Sequence, residues 1–426
     1  MRDFPPPFTK SEFARNVLTL VSGATIAQAI PVAIAPILTR LYRPEDFGIF
    51  ALFASVSGIL AVGAAGRYEA AILLPETGRE ARHVTLLALL VSLLSGILTL
   101  LLVTGFNRPL AALLGDPAIA PWLYLVPLSV LLSGIYQALN YWFNRHKQYP
   151  ALAASKVYQT GSASAGQLLL GIAGSGSAGL ILGWVLGQGA AAASLAGRTG
   201  KTELFRGEDI SIGEIKTQAR RYRQFPQFAL FGSLVNSLSY NLANILISIL
   251  FSASILGFYA LVYRVLAMPS TLIGHAVAQV YFQQGTEEKR RDGRVAATFR
   301  STLKRLLLAG IPIFLLLFIG IRYLFAPVFG AEWEEAGGYA QILLPFFFIR
   351  FISATLSTTM TILEKLKQAL VVHLSIIAGN LLAFGAAYRF QWDFERFLYL
   401  YVMILSFLYT IFLIYYYRLA RGEKKD

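Results

Sequence analysis

Several cations in this chain stand where their neighbours leave little room for water. Arg264 interrupts "GFYALVYRVLAMP", Lys156 interrupts "ALAASKVYQTGSASAG", Arg350 interrupts "LLPFFFIRFISATLSTT", and Arg322 lies near the end of a further apolar run. A guanidinium at the centre of a hydrocarbon layer costs about 3 kcal/mol on insertion scales, so such a group should face the protein interior or a wet cavity. At helical spacing from Arg264 lie Gly257, Ala260, Leu261, Ala267, Met268 and Thr271, while Phe258, Val262, Val265 and Leu266 fall elsewhere; the arginine face is small, as a cavity wall would be. Ser353, Ser357, Thr358 and Thr361 continue a polar stripe from Arg350, and Thr160, Ser164 and Gln167 continue one from Lys156. Arg322 is close enough to a membrane face to snorkel. Asn241 and Asn244, with Ser233, Ser237 and Ser248, form another stripe on "GSLVNSLSYNLANILIS", which either lines a cavity or bonds neighbouring helices.

Every Asp and Glu except Glu69 falls in a loop, a terminus or a span end. Glu69 follows Arg67 in "RYEAAILLP", and those two either pair or serve separately. Cations without central carboxylates suit an anionic ligand and disfavour a path for cationic drugs or a carboxylate proton relay. Phosphate, held by charge-assisted bonds from guanidinium groups, is the obvious ligand. On these grounds the candidate substrate-binding residues are Lys156, Arg264, Arg350, Asn241 and Asn244.

The elements that must position these residues are membrane helices. Of the 426 residues 56% are hydrophobic, more than one soluble core of this size needs. A crossing takes about 20 apolar residues, and the sequence predicts twelve spans. The first six run Val17 to Thr39, Phe47 to Gly66, Val84 to Gly105, Pro121 to Asn140, Ala151 to Ala173 and Ser177 to Gly197. The second six run Gln224 to Leu250, Ser254 to Tyr281, Leu303 to Ala326, Tyr339 to Leu363, Gln368 to Tyr388 and Phe394 to Tyr417. Lys and Arg number 28 on one side of this arrangement and 5 on the other, so both termini are expected in the cytoplasm. That asymmetry accounts for the net charge of +14 without nucleic acid. The expected organisation is an N-terminal six-helix lobe at 1–200, a cytoplasmic linker at 201–222 and a C-terminal six-helix lobe at 223–426.

The start, "MRDFPPPFTKSEFARN", shows no cleavage pattern, so the first span should be retained. Cysteine is absent and the four histidines, at 83, 146, 275 and 373, are scattered, so neither a metal centre nor a cysteine nucleophile is expected. His275 lies one helical stripe from Arg264 and is read as structural. No glycine-rich nucleotide loop occurs, and no cofactor is expected.

The two halves echo each other. "DFGIFALFASV" opens the second span and "ILGFYALVYRV" opens the eighth, 209 residues later; "HKQ" and "KLKQ" follow the fourth and tenth. Six intervening spans keep both copies in the same orientation, a parallel repeat about an axis along the membrane normal.

These motifs carry a resemblance. "LTRLYRPEDFGIFAL", "RYEAAILLP", "NYWFNRHKQYP" and "VFGAEWEEAG", in this order along the full chain, resemble polysaccharide flippases of the O-antigen or exopolysaccharide type, within the multidrug/oligosaccharidyl-lipid/polysaccharide exporter superfamily. The resemblance implies an all-α integral membrane protein with two six-helix bundles around a central cavity. It also implies transport of an undecaprenyl-diphosphate-linked oligosaccharide to the periplasmic leaflet of the bacterial inner membrane, by alternating access. In related lipid-linked flippases, cavity arginines on the second and eighth helices bind the pyrophosphate, and the resemblance implies that role for Arg67 and Arg264, which join the candidate substrate-binding residues; Lys156 and Arg350 are added from the residues themselves. Membrane lipids and a polysaccharide polymerase complex are the implied partners. A multidrug exporter of the same superfamily is the alternative, and a membrane polymerase or ligase a more distant one, since loops on the outer side reach only about a dozen residues.

Overall fold

A computed structural model describes residues 10–201, 204–205 and 210–422, and its regular structure is helical. The chain divides into two compact units. One gathers the residues up to Tyr42 with Ile49–Asn241; the other gathers Arg43–Gly48 with Leu242 onward. The first contains α1 (Lys10–Leu41), α3 (Tyr68–Ala71), α4 (Gly78–Leu113), α5 (Ala120–Leu123), α6 (Val126–Arg145), α7 (Tyr149–Ile172), α8 (Ser177–Ala196) and α9 (Ile212–Arg221). The second contains α11 (Ala253–Leu266), α12 (His275–Asp292), α13 (Ala296–Phe329), α14 (Glu334–Leu356), α15 (Thr358–Ile362), α16 (Leu366–Phe390) and α17 (Phe394–Arg421). Helices α2 (Pro44–Ala61) and α10 (Leu230–Leu250) each contribute residues to both units.

Among the described residues, eight helices are long and apolar enough to cross a membrane, or nine if the pair Pro117–Leu123 and Val126–Arg145, bent by 49°, is one span. Lipid leaves backbone groups no partner but the helix itself, so the chain is a multi-pass membrane protein. The first, fifth and eighth expected spans also coincide with helices, but they differ from the other nine. The stretch of α1 whose side chains are described, Thr25–Leu41, is short. Helix α7 is diluted by Lys156, Gln159, Thr160 and three serines, Ser155, Ser162 and Ser164. The eighth expected span, Ser254 to Tyr281, is broken. Helix α11 ends at Leu266, a π-helical turn covers Ser270–Gly274, and α12 resumes at His275. Pro269 explains the break: it lacks the N–H that would continue the helical ladder.

The second unit contains a reciprocal helix crossing. A side-chain carbon on Gly48 would overlap the carbonyl of Ala253, and one on Gly257 would overlap the carbonyl of Pro44. Positions 44 and 253, like 48 and 257, are 209 residues apart, the spacing of the two similar motifs. Glycine at both positions lets the backbones of α2 and α11 touch. Beside this crossing the fully buried Trp333 meets Phe47 and Phe258 edge-on, with ring centroids at 4.9 and 5.8 Å.

Outside the membrane spans, Glu288 closes the turn between α12 and α13 by accepting the amide N–H groups of Ala297 and Thr298 at 2.9 and 2.7 Å. Burial alone would raise this carboxyl, but the bonds from Thr298 and Ala297 outweigh it and hold Glu288 below the usual carboxylate range.

Candidate functional site

In the first unit, Arg67 sits in a turn between α2 and α3. Its φ of 62° is left-handed, which is unfavourable for a residue with a side chain. Its guanidinium lies 3.1 Å from Glu69, whose side chain is 1% exposed. Of the two relations open to this pair, the structure has the ion pair. Neither Glu69 oxygen accepts a hydrogen bond of good geometry, and the Arg67 Nε is likewise unpartnered. Burial pushes the Glu69 carboxyl above the ordinary range, against the opposing pull of Arg67 and of its own backbone N–H.

The turn is splinted from one helix. On α6, Gln137 Nε2 donates to the carbonyl of Ala61 at 3.0 Å, and Arg145 donates to those of Ile72 and Thr77 at 3.2 and 3.4 Å. Tyr68, between Arg67 and Glu69, donates its hydroxyl to the carbonyl of Ala219 on α9 at 3.3 Å. Helix α9, the described helix of the linker, is also held on α4 by Arg79–Glu214 at 2.6 Å and Arg221–Glu80 at 3.1 Å. The Ser211 N–H donates to His83 Nε2 at 3.3 Å while His83 Nδ1 lies 2.8 Å from the Arg79 carbonyl. Those partners assign the proton to Nδ1. Thus "RYEAAILLP" and "NYWFNRHKQYP", read as separate motifs, build one linker-docking surface.

Lys156 is exposed on α7. The stripe running from it is spent on packing lower down, because Gln167 Nε2 donates to Leu180 at 3.1 Å and the Gln167 carbonyl accepts the Tyr42 hydroxyl at 2.5 Å. On α10, Asn241 Nδ2 donates to the Ser237 carbonyl at 2.9 Å within its own helix. Asn244 follows three residues later, in the second unit.

In the second unit, Arg264 occupies the last turn of α11. The sequence places it mid-span; the helix break places it at a C-terminus, where unsatisfied carbonyls carry partial negative charge that stabilises a cation. Its side chain is partly exposed and, among the described residues, makes no hydrogen bond or ion pair. The smallness of its face has a second cause, since Gly257 receives the Pro44 backbone and Leu261 is fully buried. Arg350, on α14, stacks over Tyr263 at 4.8 Å and Phe347 at 5.5 Å. Tyr263 precedes Arg264, so this ring links the two arginines. No such bridge joins Arg67 to Lys156 among the described contacts.

The stripe beyond Arg350 is mixed: Ser353 is buried, whereas Ser357 and Thr358 are partly exposed and Thr361 is exposed. Arg322 stands apart, lining a cavity of about 1040 Å³ with Glu332, Glu334, Glu335, Glu395 and Tyr399, a setting unsuited to anions. The side chain of His275 lies outside the described residues. Among those described, no three His, Cys, Asp or Glu side chains gather to hold a metal. Sequence reasoning missed the aromatic seat of Arg350 and the linker dock. For the first, "FFFIRF" is a signal, since arginine beside several rings in one turn has faces to stack on.

Residues 37–337 match the polysaccharide biosynthesis protein family. No curated protein matches the sequence. Among solved structures, the chain is similar to an inward-facing multidrug resistance MATE family transporter of the MOP superfamily, with a TM-score of 0.69, 14% identity and 94% of each chain covered. An outward-facing MATE family transporter of that superfamily gives 0.64, with 12% identity and 96% of each chain covered. A Vibrio cholerae MATE transporter gives 0.61, with 12% identity and 97% of each chain covered. Such identities establish the fold alone. Taken together, the chain belongs to the polysaccharide biosynthesis protein family and has the fold of MOP-superfamily transporters.

Proposed function

We propose that the protein is a flippase that carries an undecaprenyl-diphosphate-linked oligosaccharide from the cytoplasmic to the periplasmic leaflet of a bacterial inner membrane. The observation that carries this reading is Arg264, a cation at the break of an apolar span with no ion-pair or hydrogen-bond partner among the described residues. In the proposal the substrate diphosphate supplies that charge, through charge-assisted hydrogen bonds. Lys156 and Arg350 add positive charge, Arg67 joins them by exchanging its Glu69 partner for the diphosphate, and Asn241 and Asn244 offer amide groups to the sugar. The polyprenyl tail stays in lipid.

Twelve spans in two parallel six-helix repeats, with both termini in the cytoplasm, complete the proposal. The reciprocal contacts of Gly48 and Gly257 at matching offsets support the repeat. Alternating access is the proposed transport mechanism, with O-antigen or another surface polysaccharide as the end product and a polymerase complex as acceptor. Arg264→Ala should abolish polymer export while the protein remains in the membrane at wild-type level. Normal export by that variant overturns the assignment. The similar folds of multidrug transporters keep one rival open. A deletion strain with wild-type drug sensitivity and accumulated lipid-linked oligosaccharide separates the two.

A further inference from the structure

The Arg350 guanidinium is already seated on aromatic rings, so it is a poorer diphosphate ligand than Arg264. Its seat has a chemistry of its own. Tyr263 meets Phe347 in a T-shaped pair with centroids 5.2 Å apart, and Tyr259 lies 6.0 Å from Tyr263. Behind them, Tyr259 and Tyr401 share a hydroxyl contact at 3.4 Å, and Phe346 packs on Phe347 at 5.3 Å. Phe347, Tyr259, Tyr401 and Phe346 are all buried, whereas Tyr263 and Arg350 are partly exposed. The result is a buried aromatic backing behind one partly exposed ring and one partly exposed guanidinium.

We infer that Tyr263 and Arg350 form a saccharide-reading subsite, distinct from the diphosphate position at Arg264. A pyranose presents an apolar C–H face and a rim of hydroxyls. An aromatic ring packs on the first, and the in-plane N–H groups of an arginine stacked on that ring bond the second. Successive side chains leave a helix about 100° apart. Arg264 and Tyr263 therefore diverge from one turn of α11, as a diphosphate and its attached sugar diverge along one substrate. The inference rests on the flippase reading and assigns the glycan end of the same ligand.

The test uses the full-length protein in nanodiscs and two probes measured by native mass spectrometry. One is undecaprenyl diphosphate without sugar; the other is the lipid-linked oligosaccharide extracted from cells lacking the protein. Tyr263→Leu keeps apolar volume but loses the ring face, and Arg350→Lys keeps the charge but loses the stacked fork. Each should weaken the glycosylated lipid about threefold to tenfold and leave undecaprenyl diphosphate unchanged, with Tyr263→Phe near wild type. Arg264→Ala should weaken both lipids. Equal loss of both probes in Tyr263→Leu, or no loss of either, overturns the subsite. If Arg264→Ala leaves both probes bound as before, the diphosphate reading fails instead. A Tyr263→Leu variant that does not fold shifts the decision to Arg350→Lys, for which the same outcomes apply.

Discussion

The crossing of α2 and α11 makes a quantitative prediction because its two glycines face each other's partner helix. A carbon on Gly48 overlaps the Ala253 carbonyl oxygen, and a carbon on Gly257 overlaps the Pro44 carbonyl oxygen. A carbon–oxygen contact needs roughly 3.3 Å, so either alanine forces the backbones apart by roughly 1 Å or more. Overpacking of this kind costs about 1–3 kcal/mol. Gly58→Ala is the control: it is also in α2, nothing lies within 4 Å of the added carbon, and alanine should gain up to about 1 kcal/mol there. The double variant is the sharper test. Once one alanine has parted the helices, the second meets less opposition, so the pair should cost little more than either single change. Unfolding midpoints of the purified protein in detergent measure all four. Gly48→Ala as stable as Gly58→Ala, or strict additivity of the two crossing variants, refutes the reasoning.

Three further outcomes are expected. The raised carboxyl of Glu69 favours the folded state at low pH, and that contribution is lost as pH rises through its folded value; Glu69→Gln should flatten this pH dependence in thermal unfolding and be at least as stable as wild type at pH 8. Glu288 has the opposite sign: its lowered carboxyl stabilises above the ordinary glutamate range and loses that effect as pH falls, so Glu288→Gln should cost about 1 kcal/mol at neutral pH and lose the difference in acid. Glu80 and Arg221 are 34% and 50% exposed, so reversing Glu80 alone should cost under about 1 kcal/mol; exchanging both should restore the docking of α9, read as protection of the linker from limited proteolysis.

Long uninterrupted apolar runs such as those of α4, α13 and α17 were legible because hydropathy and length suffice for them. The break in the eighth span was also written in the sequence, as Pro269, but membrane helices often bend through a proline and continue, so the residue alone did not decide it. The state of Glu69 was illegible for a different reason. Its burial depends on the fold around the turn that Gln137 and Arg145 fix from α6 and Tyr68 ties to α9, and those partners are up to 151 residues away. Arg350 was singled out as a cation in an apolar run, yet a charge pattern cannot show that it stacks on Tyr263 and Phe347. The similarity of "DFGIFAL" and "GFYAL" was visible as a repeat; that the two glycines touch each other's helices required coordinates.

Trp333 gives the crossing a built-in optical readout. An indole sealed between Phe47 and Phe258 emits as in an apolar solvent, and water reaches it only if the start of α2 or α11 moves away. The chain has four other tryptophans, at 122, 142, 184 and 392; replacing them with phenylalanine would leave one fluorophore whose colour and quenching by iodide follow that motion in an unlabelled transporter.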